Sequence, residues 1–330
     1  MKLNLLPSSS FRTPLFLGLC WLTWTATQAA AQLWDVPPLP PVKYAQAQDG
    51  MTATIGNESV HISVCRPSVI HFVASPEPPN TTRQNQPWML DSKQSCPGAK
   101  FQVSQTAEAA ILSTDTLKVE LSLKWGNLKY STVTGADLLR ERNSIPRTYE
   151  PAVLNGENTF HVEDRFAPDF SEGFYGLGQH QSGMFNYRGG TVELGQNNTD
   201  VAIPLLLSSK GYALMWNTAS LTHVDNRFPL ELNLNSLAGH AVDYYFIYGP
   251  EMDQLIHEYR NLTGNAPLLP KWSYGFFQSK DRYVSQEEVL GNRTPLSHGA
   301  HTARCNCSGL VLVESGRRSD LQFEFPGCPG

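Results

Sequence analysis

Positive charge is scarce in this sequence. Lys and Arg number 25 against 30 Asp and Glu, giving a net charge of −5 over 330 residues, and no polybasic segment breaks that balance. A phosphate backbone finds no electrostatic footprint here, so nucleic acid is excluded as a partner. Charge of either sign is modest at 17% of residues, while hydrophobic residues make up 41%, which excludes a disordered chain. Long apolar runs are missing as well. The one candidate, Leu15 to Trp24, is shorter than the ~20 residues of a membrane span. Lys2 and Arg12 precede it and Ala29-Ala30-Ala31 follow, which is the order of an export signal over 1–31 cleaved before Gln32. The sequence therefore predicts a periplasmic or extracellular protein with no membrane attachment after cleavage. Cysteine is sparse too. With Cys20 lost in the signal, Cys65 and Cys96 are the only cysteines of the main body. In an oxidising compartment they are a candidate disulfide, although Cys65 also suits a small buried hydrophobe.

What is present is mostly period two. Residues 32–43 are a Pro-rich lead-in, with Pro37-Pro38-Leu39-Pro40-Pro41 at its centre. Beyond it Val60, Ile62 and Val64 alternate with polar neighbours, as do Ile70 and Phe72, and then Leu117, Val119, Leu121 and Leu123. Turn residues interrupt these runs at Gly56, Gly98, Gly126, Asn155-Gly156 and Gly189-Gly190. Many short strands with frequent turns predict a mainly β fold, a two-layered β-sandwich over 44–266. The period changes at Pro250. Met252, Leu255, Ile256, Tyr259 and Leu262 share one helical face, and Gly264 is placed to end the helix. After Asn265 to Pro270 comes an apolar run, Trp272 to Phe277, and then Ser285-Gln286-Glu287-Glu288, a helix start. Residues 267–291 thus read as a buried strand followed by a helix, the opening unit of an α/β domain.

A second buried strand is due next and does not come. Residues 292–330 show little periodicity and a burst of Cys305, Cys307 and Cys328. His298, His301, Cys305 and Cys307 suggest a metal site, but Cys-x-Cys spacing suits one tetrahedral zinc poorly, and neither metal nor cofactor is expected. Shifting the reading by one base lets Thr302 to Glu314 encode PLDAIVQDWFWWK, an apolar strand running into an aromatic, acidic loop. The tail is read as out of frame from near Asn292 and without regular structure.

The block Phe174-Tyr175-Gly176-Leu177-Gly178-Gln179-His180-Gln181 resembles glycoside hydrolase family 31. So do Asn186-Tyr187-Arg188-Gly189, Gln196-Asn197-Asn198-Thr199, Ile203 to Ser208, Gly211 to Asn217, and Trp272 to Tyr283, all in the family's order. The resemblance implies a galactose-mutarotase-like sandwich followed by the start of a (β/α)8 barrel. It implies a retaining α-glycosidase of the α-xylosidase or α-glucosidase type, whose substrate is an oligosaccharide or α-glycoside. The two catalytic aspartates of such enzymes belong to later barrel strands, so no catalytic residue is assigned here and the truncated chain is expected to be inactive. Substrate-binding candidates by the same resemblance are Gln278, Arg282 and Tyr283 after the first barrel strand, and Gln196 and Asn198 on a sandwich loop. Each also has a structural reading, as a turn residue satisfying backbone groups. His180 has no nucleophile at recognisable spacing. Two other functions stay open: a carbohydrate-binding sandwich that cleaves nothing and, more distantly, an epimerase.

Overall fold

The computed structural model describes residues 41–76, 89–91, 96–143, 145–274, 276–278, 284–288 and 303–306. The predicted export signal, 1–31, lies outside the described residues. Packing divides the chain into two units, Met1–Gly264 and Asn265–Gly330.

The first strands of the first unit among the described residues are β1 (Val42–Gln46), β2 (Gly50–Ile55), β3 (Glu58–Arg66) and β4 (Val69–Ser75), so β1 takes in the last two residues of the predicted lead-in. Next comes a meander of β5 (Gln102–Gln105), β6 (Ala109–Ser113), β7 (Leu117–Ser122), β8 (Leu128–Thr132) and β9 (Asp137–Arg140). A hairpin of β10 (Arg147–Leu154) and β11 (Glu157–Phe166) turns on Asn155-Gly156, both at positive φ, the chemistry a two-residue hairpin requires. The remaining strands are β12 (Phe174–Gln179), β13 (Thr191–Leu194), β14 (Val201–Ser208), β15 (Tyr212–Trp216), β16 (Thr222–Asp225), β17 (Leu232–Gly239) and β18 (Val242–Tyr248).

Three antiparallel sheets result. An eight-stranded sheet runs β1-β2-β3-β4-β18-β15-β14-β12, and two five-stranded sheets run β5-β6-β7-β8-β9 and β10-β11-β17-β16-β13. The inner faces of all three share one core, including Ile62, Phe72, Leu112, Val119, Val162, Leu234 and Trp216. The predicted alternating residues of β3, β4 and β7 are buried in it. Aromatic rings fill the centre: Tyr130 stacks on Phe246 at 4.0 Å, and Trp216 lies parallel to Tyr244 at 6.2 Å. Their polar ends are satisfied, Tyr130 against the Tyr244 hydroxyl at 3.0 Å and Trp216 Nε1 donating to Ser236 Oγ at 2.8 Å. Burying each such side chain contributes roughly 1.5–3 kcal/mol.

Helix α1 (Met252–Thr263) covers part of the other face of the large sheet. Leu255 and Leu262 pack there on Val69, Ala213, Met215 and Ile247, while Met252 and Ile256, on the same predicted stripe, stay exposed. Gly264 ends the helix at φ +86°, its N–H donating to Arg260 O at 2.8 Å. Cys65 joins this second core and is disulfide-bonded to Cys96.

In the second unit the sequence predicts one continuous strand over Trp272–Phe277. The structure instead has a 3₁₀ turn over Lys271–Tyr274 and only a short strand, β19 (Phe276–Gln278). Ser273 sets the turn, since both its N–H and its hydroxyl donate to Pro270 O, at 3.0 and 2.7 Å, and Tyr274 is left exposed. Residues 286–288 form a helical turn, with Glu288 N–H donating to Ser285 Oγ at 3.3 Å. The tail also departs from expectation: Ala303–Asn306 forms β20 and pairs parallel with β19, Phe277 opposite Cys305. A strand as short as β19 has backbone groups to pair, and β20 supplies partners along one edge.

Candidate functional site

The family-like block around Phe174 folds as it does because of two glycines. Gly176 and Gly178 sit at φ +90° and +101°, and Leu177 between them is also at positive φ. The register of β12 on β14 shifts between Gly176 and Gly178, which marks a bulge. A Cβ on Gly176 would lie 2.4 Å from Leu205 O, and one on Gly178 only 1.9 Å from Val201 O. Only glycine fits, and the bulge re-aims the chain into the loop that carries Gln179, His180 and Gln181.

His180 stitches that loop to the next. Its Nε2–H donates to Leu177 O at 2.9 Å, which leaves Nδ1 4.0 Å from Asp200 Oδ1. Asp200 closes the turn that carries Gln196 and Asn198, with its N–H donating to Asn197 O. Gln196 has a local task, because its side-chain carbonyl accepts the Ala202 N–H at 2.6 Å. Asn198 is exposed on the same turn. Of the other candidates, Gln278 ends β19. Arg282 and Tyr283 lie outside the described residues. His180 thus stands beside the turn that carries Gln196 and Asn198, with Asp200 as the nearest acid.

Sequence reasoning missed the residue that organises this end. Arg188 donates from Nη1 to the carbonyls of Asp169 and Glu172, at 3.2 and 2.6 Å, and from Nη2 to Pro229 O at 3.2 Å. Three loops are tied by one guanidinium, whose five donors suit it to the task. Its neighbour Asn186 accepts from Phe174 N–H and from Arg188 N–H, both at 3.0 Å. Around the staple stand exposed aromatic rings: Phe170, 5.3 Å from the Arg188 guanidinium and 69% exposed, and Phe185, 84% exposed and 5.4 Å from Tyr175. The Asn186-Tyr187-Arg188-Gly189 motif was the available signal, as a block that mixes an aromatic with an Arg beside a glycine turn.

The strongest electrostatics lie elsewhere, where the three sheets meet. Arg147 Nε and Nη2 bind the two carboxylate oxygens of Glu58 at 2.7 and 3.0 Å, Nη1 binds Glu141, and Nη2 also donates to Gly126 O at 2.9 Å. Glu141 in turn accepts Leu128 N–H at 2.7 Å, and Tyr149 donates to Glu58 at 2.6 Å. Asp164 is fully buried nearby; its Oδ1 accepts Arg165 N–H at 2.8 Å, and its Oδ2 has no hydrogen-bond partner. Burial, and then the charge of Glu141, push the Asp164 carboxyl well above the usual carboxylate range. Burial likewise raises Glu141, against the pull of Arg147. One cation binds two acids here, Glu58 and Glu141, beside a third that is buried with one oxygen unpartnered, so the cluster is a structural knot.

Residues 59–225 match the glycosyl hydrolase 31 N-terminal galactose mutarotase-like domain. The chain belongs to this family. An α-xylosidase of Saccharolobus solfataricus is 45% identical over 141 residues, 40% of this chain and 19% of that protein. An isomaltosyltransferase of Sporosarcina globispora is 30% identical over 207 residues, 58% of this chain and again 19% of the relative. The chain thus spans about a fifth of these relatives' length. Among solved structures, a family 31 α-xylosidase from a soil metagenome, complexed with xylose, superposes with a TM-score of 0.66 at 22% identity, covering 77% of this chain and 39% of that one. A Flavobacterium johnsoniae dextranase complexed with isomaltotriose gives 0.65 at 19%, covering 79% and 32%. These structures share the fold of the family 31 chain.

Proposed function

We propose that this chain is the N-terminal part of an exported retaining α-glycosidase that hydrolyses O-glycosyl bonds of α-xylosides or α-glucosides. The observation that carries the reading is the domain match together with 45% identity to an α-xylosidase. Retention of configuration requires two carboxyl groups about 5–5.5 Å apart, one to attack the anomeric carbon and one to protonate the leaving oxygen. In this reading both belong to barrel strands beyond residue 291, and the loop end stapled by Arg188 borders the sugar. Gln196, Asn198, Gln278, Arg282 and Tyr283 are its candidate contacts. The 330-residue chain alone should not turn over aryl α-xylosides or α-glucosides above the buffer rate, whereas a gene restored in frame past Asn292 should. Steady turnover by the 330-residue chain, lost on mutating one of its own residues, would overturn the placement of both catalytic carboxyl groups beyond residue 291. Export is tested by sequencing the mature N-terminus, expected at Gln32.

A second reading, a sandwich that holds oligosaccharides without cleaving them, draws on the exposed rings of Phe170 and Phe185. Saturable binding of isomaltotriose by the 330-residue chain would favour it.

A further inference from the structure

Helix α1 is the last element of the first unit, and few groups hold it. It has 12 residues, a length at which a helix alone in water is marginal. Its buried residues are Leu255 and Leu262, which sit on the second core with Val69, Ala213, Met215 and Ile247. Two side chains at the end of β3 and just beyond it help: Ser68 Oγ donates to Glu258 Oε1 at 3.0 Å, and Arg66 Nη2 donates to Asn261 O at 3.4 Å. A separate stretch of chain clasps the last turn. Leu90 packs on the same core, and Asp91 N–H donates to Leu262 O at 2.9 Å. Cys96 follows shortly in the sequence and is bonded to Cys65, and beyond it Gly98 N–H donates to Cys65 O at 3.1 Å. The disulfide thus fastens to β3 the stretch that grips the end of α1.

Its two sulfurs differ in access. Cys65 is fully buried, whereas Cys96 is exposed. A thiolate attacks the disulfide sulfur it can reach, here Cys96 Sγ. With a dithiol reductant, Cys65 then leaves as a thiolate and takes up a proton. The second thiol of the reductant attacks the mixed disulfide, which releases Cys96 as a thiol and closes the reductant's own disulfide. Two electrons and two protons pass to the protein. The Cys65 thiol suits its apolar site as a small hydrophobe. β4, which lies inside the closed loop, stays paired with β3 and β18. Opening the bond therefore frees the clasp and leaves the sheet whole. We propose that the Cys65–Cys96 disulfide is a redox latch on α1: reduction by a dithiol releases the Leu90–Asp91 clasp and undocks the helix, while the first core stays folded. The latch acts independently of glycoside cleavage, so its failure would leave the proposed function standing.

The test is hydrogen exchange on the full 330-residue chain, oxidised and after incubation with dithiothreitol under native conditions, with the cysteines followed by peptide mapping. In the oxidised chain the amides of Asp91 and of 256–264 should be protected at least about a hundredfold, and reduction should bring them to within about tenfold of the unprotected rate. The amides of Val119 and Tyr130, in the first core, should stay slow in both states. Removing the reductant should restore the protection of α1. Glutathione, a monothiol, should form its mixed disulfide on Cys96 and not on Cys65. C96A, which leaves the Cys65 thiol in place, should show the reduced pattern without reductant; should it fail to fold, the reversible reduction of the parent decides alone. A disulfide that opens only on global unfolding, glutathione on Cys65, or α1 amides that keep their protection after reduction would overturn the latch. Loss of protection in α1 and the first core alike would make the bond a general staple and overturn it too.

Discussion

The knot around Arg147 and the loop end around Arg188 use the same side chain in opposite ways. Arg147 is buried, faces carboxylates and ties Glu58 of the large sheet to Glu141 beside the β5–β9 meander. Arg188 is only partly buried, faces backbone carbonyls and ties loops. A buried guanidinium needs anionic partners because desolvation leaves an unpaired charge costly. Stapling carbonyls keeps a loop in place without drawing acids into it, so the surrounding surface stays free for contacts. Stability thus concentrates at the first arginine, and the second holds a solvent-facing loop end in place.

The contrast is broken most directly by Arg147→Met. It strands Glu58 and Glu141 in the interior and should cost about 3–5 kcal/mol, the range for removing one partner of a buried pair; a denaturant melt reads it. Replacing Cys65 and Cys96 by Ser should lower stability by roughly 2–4 kcal/mol, read the same way with and without reductant. Gly178→Ala forces a Cβ into Val201 O and should cost about 1–3 kcal/mol, while disturbing the loop shifts of His180 by NMR. Asp164→Asn acts through pH. A carboxyl raised in the folded state binds its proton more tightly there than in the unfolded chain. Stability from this group is therefore complete below the unfolded value of about 3.9 and falls as pH rises through the raised folded value. The asparagine variant should lack that fall, so its melting temperature should gain on the parent as pH rises. At the small end, Asn198→Ala should shift stability by less than about 0.5 kcal/mol.

How much of this was legible in the sequence depended on what covered each strand. β7 has one face inward, and Leu117, Val119 and Leu121 announced it. β15 and β18 are buried on both faces because α1 and its neighbours cover the outer side, so Tyr212 to Trp216 and Val242 to Ile247 show no alternation to read. The Asn155-Gly156 turn, α1 and its Gly264 stop were readable because each rests on local chemistry. The knot was not, since Arg147 and Glu58 lie 89 residues apart. One signal for it existed: Asp164 stands between Val162 and Phe166 at inward spacing, a charge on a core position. At the loop end the motif was visible, but the Arg188 staple depends on carbonyls, which carry no sequence signature.

Hydrogen exchange on the 330-residue chain, parent against Arg147→Met, tests the division most directly. In the parent, the amides of Leu128, Tyr130 and Arg165 should exchange only through global unfolding, and those of 179–200 at much lower free energy. In the variant the first group should lose several orders of magnitude of protection, while 179–200 changes little. Equal protection of both regions in the parent, or junction amides indifferent to the loss of Arg147, would contradict the account.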